Sequence, residues 1–221
     1  MIRSAWRIIV VVALLGSAPA SADTADPDPK RFATAIERFV AWDRQNSFPA
    51  NAILFVGSSS IVNWPTAAAF PGKLSINRGF GGSELSDVNY YFEQVVKPYK
   101  PSTIVLYAGD NDIDAGKDAE QVFLDFKVFA DRVRLELPET RVLFISIKPS
   151  IARWEKWPAM VDANKLVREY VADLPNLQYV DLAAPLLNDE GQPKDVFVDD
   201  GLHLNESGYA LWQQALAPYL Q

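Results

Sequence analysis

Among its 221 residues the chain has no cysteine and a single histidine, His203. Without thiols there is no disulfide framework, thiolate metal site or cysteine nucleophile. With one imidazole, a centre that needs two, such as the paired histidines of a zincin, is excluded. Imidazole acid–base chemistry near neutral pH falls to His203 or to nothing. Positive charge is also short: 21 Lys and Arg stand against 28 Asp and Glu, giving a formal charge of −7 and a pI near 4.8. That balance argues against binding a nucleic-acid backbone. No Walker-type phosphate loop occurs.

What is present is the composition of a folded domain. Hydrophobic residues make up 49% of the chain and charged residues 22%, which excludes a disordered or collagen-like polymer. The length suits one domain. At the N-terminus, Arg3 and Arg7 precede an apolar stretch from Ile8 to Leu15, and Ala20-Ser21-Ala22 supplies the small residues that a signal peptidase reads. The apolar stretch falls well short of the roughly 20 residues that span a bilayer. Residues 1–22 are therefore expected to be a signal peptide, with no stable membrane anchor left after cleavage. Cleavage takes the 21 basic residues to 19 against 28 acidic ones, a net of −9. The product is expected to be secreted or periplasmic, and residues 23–29, rich in Asp and Pro, to be a flexible lead-in to a domain over 30–221.

From residue 30 onward, helical and strand patterns alternate. Helical spacing of apolar residues runs over Arg31 to Arg44, Ser83 to Lys97, Ala119 to Leu137, Pro158 to Leu174 and Glu206 to Leu220. Between them lie short apolar runs at Ala52 to Val56, Thr103 to Ala108, Arg141 to Ile147 and Leu177 to Asp181, with a weaker one at Lys73 to Asn77. Strands that are apolar without alternation are buried on both faces, which predicts a parallel sheet covered by helices on each side. The expected fold is a single three-layer α/β/α domain with five strands.

In such sheets ligands bind beyond the carboxyl ends of the strands. That edge is where the unusual residues fall: Gly57-Ser58-Ser59-Ser60 after the first strand, Arg78-Gly79-Phe80-Gly81-Gly82-Ser83 after the second, and Gly109-Asp110-Asn111-Asp112 after the third. Ser150 to Trp157 follows the fourth, and Asp199-Asp200-Gly201-Leu202-His203 follows the fifth. Singly, each has an ordinary reading as a turn, a helix cap or a packing residue. Together they put a hydroxyl nucleophile, a base, an acid and amide donors on one edge.

These blocks resemble the SGNH hydrolases, the superfamily of the GDSL-like lipases and acylhydrolases, and most of all its bacterial secreted branch and its platelet-activating-factor acetylhydrolase-like members. Gly57-Ser58-Ser59 is similar to the nucleophile block, with Ser58 where the family usually has aspartate. Gly82 stands in the place of the family's functional glycine, Gly109-Asp110-Asn111-Asp112 matches Gly-x-Asn-Asp, and Asp200-Gly201-Leu202-His203 matches Asp-x-x-His. The resemblance implies a flavodoxin-like sheet and a carboxylic ester hydrolase without a cofactor. It implies Ser59 as nucleophile, His203 as base and Asp200 as its partner. It also implies an oxyanion hole made by the backbone N–H groups of Ser59 and Gly82 and the side-chain amide of Asn111. By spacing alone, Ser58 and Ser60 compete with Ser59, and Asp199 competes with Asp200.

Asp112 is expected to hold a loop, and Asp110, Asp112 and Asp114 to form a solvated loop that holds no metal. Trp154 and Trp157, with Trp64, are candidates to contact a sugar ring or an acyl chain, or simply to pack. The expected substrate is a small-molecule or carbohydrate ester with a short acyl group, acetyl above all. Two other readings fit the same fold: an exported carbohydrate-binding or scaffold protein without turnover, and a flavin or nucleotide binder.

Overall fold

A computed structural model describes residues 25–220. The expected signal peptide, residues 1–22, lies outside the described residues. Within the lead-in, Asp28 caps a 3-10 turn, Pro29–Phe32, and Asp26 reaches the ammonium of Lys117 at 2.6 Å, so this stretch is tied to the domain at two points.

The turn feeds α1 (Ala33–Gln45), followed by β1 (Ile53–Gly57), the short helices α2 (Ser59–Val62) and α3 (Thr66–Ala69), and β2 (Ser75–Gly79). Next come α4 (Leu85–Tyr90), α5 (Phe92–Val95), β3 (Thr103–Tyr107), α6 (Asp110–Ala115), α7 (Ala119–Glu136) and β4 (Arg141–Ile145). The chain closes with α8 (Trp157–Val171), β5 (Leu177–Val180), α9 (Glu206–Leu216) and a last 3-10 turn, Ala217–Leu220. The five strands lie in the order β2-β1-β3-β4-β5, and every neighbouring pair is parallel. This is the expected three-layer α/β/α architecture.

Every residue of β1 and β3 is buried. Alternation along each strand divides them between two cores. Leu54, Val56, Ile104 and Leu106 join Phe92, Phe126, Phe129 and Val167 on the side of α1, α5, α7 and α8. Ile53, Phe55, Val105 and Tyr107 join Ile61, Trp64, Trp212 and Leu216 on the side of α2 and α9. A strand that must satisfy both cores can hold no exposed polar stripe, hence the unbroken apolar runs.

The strand order reverses at β1, whose two neighbours are β2 on one side and β3 on the other. The loops leaving β1 and β3 therefore run to opposite faces and open a crevice between them, the usual ligand position in an open α/β sheet.

Three elements differ from the sequence reading. The helix expected over Ser83 to Lys97 is broken at Tyr91 into α4 and α5 and gives way after Val95 to a 3-10 turn, Lys97–Tyr99, which contains Pro98 and ends at Lys100 in a left-handed conformation at φ 41°. Strand β2 runs two residues later than expected, taking in Arg78. The guanidinium is accommodated because Nε donates to the Tyr99 hydroxyl and Nη2 to Asp43, both at 2.5 Å. The stretches over α2, α3 and α6 read as turns or loops, since helices of four to six residues carry too little periodicity to be seen.

Candidate active site

At the end of β1 the backbone of Gly57 has φ +134°, and a Cβ there would lie 1.8 Å from the carbonyl oxygen of Tyr107 on β3. Only glycine lets the chain pass this close to its neighbour and turn at once into a helix. Ser58 then donates its N–H to that same carbonyl at 3.0 Å, and Ser59 becomes the first residue of α2. The turn separates three consecutive serines: Ser58 and Ser60 are buried, whereas Ser59 is partly exposed.

His203 is presented by a closely tied loop. The carboxylate of Asp200 accepts the backbone N–H of Leu202 at 2.8 Å and of His203 at 2.9 Å on Oδ1, and meets His203 Nδ1 at 2.5 Å with Oδ2. Gly201, at φ +64°, allows the chain to fold back over that carboxylate. The other ring nitrogen, Nε2, lies 2.9 Å from Ser59 Oγ. Serine, histidine and aspartate thus form one hydrogen-bonded line, and Asp200 rather than Asp199 is its carboxylate. The bond to the imidazole, and then the two backbone N–H groups, hold the Asp200 carboxyl well below the usual carboxylate range.

Across the crevice, Gly81 and Gly82 pass over the serine. A Cβ on Gly81 would lie 3.6 Å from that of Ser59, and Gly82 takes φ +83°. Nothing lies within 4 Å of a Cβ built on Gly82, so the left-handed backbone, not crowding, is what asks for glycine there. Asn111 sits in the first turn of α6. Its amide donates to the Ser83 carbonyl at 2.9 Å, and its Oδ1 accepts from Arg153 Nη1 at 3.1 Å. An amide carries two N–H groups, so one remains beyond the Ser83 bond. Because a guanidinium only donates, Arg153 fixes which end of Asn111 is oxygen and which is nitrogen.

Arg153 was not singled out by sequence reasoning, and neither was Lys148. Lys148 is buried at the end of the β4 strand run and donates to the Leu202 carbonyl at 2.7 Å, inside the Asp-x-x-His loop. Its ammonium lies 3.9 Å from Asp110 Oδ2, and Arg153 lies 3.4 Å from the same oxygen. Burial lowers the Lys148 pKa, and the Asp110 carboxylate opposes that shift. The one available signal was a lysine directly after the apolar run that ends at Ile147.

The expectation of a solvated acidic loop at Asp110, Asp112 and Asp114 is corrected. These residues lie on α6, and Asp110 and Asp112 are buried. Asp112 accepts the Leu85 N–H at 3.0 Å and faces Lys117 at 3.6 Å, which fits its expected role of holding the chain rather than meeting a substrate. Asp114 pairs with Arg153 at 3.1 Å and Lys156 at 2.5 Å. No group of three or more metal-ligating side chains gathers among the described residues.

Trp154 and Trp157 stack on each other with centroids 6.2 Å apart, and Trp157 packs against the core on the α8 side. Neither lines the groove of about 750 Å3 that opens beside His203; Trp64 does.

The model of the GDSL-like lipase/acylhydrolase family matches residues 56–211, which include all four blocks. Platelet-activating factor acetylhydrolase IB subunit alpha1 of Pongo abelii is 26% identical over 204 residues, covering 87% of this chain and 85% of its own length. The crystal structure of a GDSL-like lipase from Bacteroides thetaiotaomicron superposes with a TM-score of 0.69 at 19% identity, over 87% of this chain and 97% of the other. An acetyl xylan esterase, AlAXEase, superposes with a TM-score of 0.65 at 18% identity, over 77% and 100%. The chain belongs to the GDSL-like lipase/acylhydrolase family and is a carboxylic ester hydrolase.

Proposed function

We propose that the protein is an exported serine esterase that removes short acyl groups, acetyl above all, from a small-molecule or carbohydrate alcohol. The observation that carries this reading is the line from Ser59 Oγ through His203 to Asp200, with contacts of 2.9 and 2.5 Å. A serine hydroxyl needs a hydrogen-bonded base to become a nucleophile, and His203 Nε2 is placed to take its proton. As Ser59 attacks the carbonyl carbon, the imidazole becomes a cation. Asp200, kept ionised by its hydrogen bonds, stabilises that cation and holds the Nδ1 tautomer.

The oxyanion of the tetrahedral intermediate is received by the Ser59 and Gly82 N–H groups and the free amide hydrogen of Asn111. One such donor is worth roughly 2.7–4 kcal/mol in the transition state. His203 then returns its proton to the leaving alcohol, and a water repeats the sequence on the acyl-enzyme. The short acyl group is supported by relatives whose names specify acetyl esters. Export is supported by the pattern of residues 1–22.

The test is hydrolysis of p-nitrophenyl acetate by the wild type, Ser59→Ala and His203→Ala. Turnover in the wild type alone is expected; turnover that survives both substitutions would overturn the assignment. Asn111→Ala should lower kcat by about 10²–10³-fold. Asn111→Asp should be worse, because a carboxylate there repels the oxyanion, and an unimpaired Asn111→Asp enzyme would contradict the hole. A non-catalytic carbohydrate-binding role leaves the Ser59–His203–Asp200 alignment without a purpose.

A further inference from the structure

Resting on that esterase reading, we infer that the groove beside His203 is the subsite for the alcohol half of the substrate, and that this alcohol is apolar. The groove, about 750 Å3, is in the size range of small-molecule sites. It runs between the loop and short helix after the nucleophile, which contribute Trp64, Pro65, Ala68 and Ala69, and the start of α9, which contributes Tyr209 and Ala210. His203 is part of its wall; Gly82 and Asn111 are not.

That placement separates the two halves of an ester. The carbonyl oxygen must face Gly82 and Asn111, while the oxygen that leaves must lie against His203 Nε2, which returns its proton. A groove that shares a wall with His203 and none with the proposed side-chain and glycine oxyanion donors continues from the leaving oxygen.

The lining fixes the chemistry. Trp64 stacks on Tyr209 at 5.9 Å, and the Tyr209 hydroxyl is spent on the Ser60 carbonyl at 3.0 Å, so this wall presents carbon rather than hydrogen-bonding groups. Asn205 is committed as well: its Oδ1 accepts the Gly208 N–H that caps α9, and its amide donates to Phe197. Val198 and Leu204 add aliphatic surface. The polar lining residues Asn63 and Glu206 are exposed and Gln213 is partly so, so the carbon wall lies at Trp64 and Tyr209. An alkyl or aryl alcohol would be desolvated against that wall, whereas a sugar would lose hydrogen bonds to water there.

Two ester series test this: acetates of ethanol, butanol, hexanol and octanol, and ethyl esters of the acids of matching length. Burying one methylene is worth up to roughly fourfold in kcat/KM, and about twofold in an open groove. The acetate series should therefore rise about 16-fold over the four methylenes from ethyl to hexyl, while the acid series stays flat or falls. Ala68→Trp and Ala210→Trp, both at exposed positions, should cut the hexyl-to-ethyl acetate ratio by about tenfold. Leu135→Trp, on the remote α7, should leave the ratio as it is. A rise along the acid series instead, a ratio indifferent to both groove substitutions, or acetylated xylan hydrolysed in preference to hexyl acetate would overturn the inference. Failure of the esterase reading looks different: the wild type would then hydrolyse no ester of either series and would take no fluorophosphonate label.

Discussion

Asp112 and Asp200 each lie in a short block beside a residue assigned to the chemistry, yet the fold treats the two carboxyls in opposite ways. Asp200 is half exposed, and its two oxygens are saturated by the imidazole and two backbone N–H groups, which hold its pKa low. Asp112 is fully buried, and burial pushes its pKa up to about 7 against the opposing pull of Lys117 and the Leu85 N–H. Lys117 lies closer to Asp26 and Asp125, at 2.6 and 2.7 Å, than to Asp112 at 3.6 Å, so it only partly compensates the burial. The carboxylate proposed to serve the His203 base is kept charged by directed hydrogen bonds in contact with water. A carboxyl that ties α6 to the start of α4 can be buried because it need not be charged.

The contrast can be broken most sharply at Asp200. Asp200→Asn keeps the shape but removes the charge and the tautomer preference, and should lower kcat by about 10²–10⁴-fold with little change in melting temperature. Steady-state kinetics and calorimetry on one preparation check both halves; a large loss of stability with activity retained would reverse the assignment.

Lys148→Met comes next. It strips the Leu202 carbonyl of its donor and leaves Asp110 with Arg153 alone, so it should cost about 3 kcal/mol in urea unfolding and slacken the His203 loop. A lowered kcat with an unchanged KM is expected from the fraction that folds.

The smallest effect belongs to Asp112→Asn. The amide oxygen still accepts the Leu85 N–H and the amide resembles the protonated carboxyl, so stability near pH 4 should change by no more than about 1 kcal/mol. What should change is its pH dependence. With a folded pKa raised to about 7, the native state binds the extra proton between about pH 4 and 7. This group's contribution to stability therefore falls as pH rises through that window. Denaturant titrations from pH 4 to 7 should show a shallower decline in Asp112→Asn; an unchanged slope would mean that Asp112 is ionised throughout.

The sheet was legible because β1, β3 and β4 must be apolar on both faces, a demand that leaves unbroken runs in the sequence. His203 was legible for a different reason, since one histidine in the chain leaves no choice of imidazole, and the family resemblance singled out Ser59 and Asp200. What spacing alone left open, Ser59 among three serines and Asp200 against Asp199, depends on one φ at Gly57 and one at Gly201. Arg153 and Lys148 were illegible because their roles rest on contacts with Asn111 and with Leu202, 42 and 54 residues away. The groove was hidden for the same reason, since its walls come from either end of the domain and no local pattern records their meeting.

The central claim is that Ser59 is the nucleophile, and its most direct test is fluorophosphonate labelling followed by peptide mass spectrometry. The account predicts an adduct on Ser59 of the wild type, lost in Ser59→Ala and strongly slowed in His203→Ala. An adduct on Ser58 or Ser60, or no adduct on an enzyme that turns over p-nitrophenyl acetate, would contradict it.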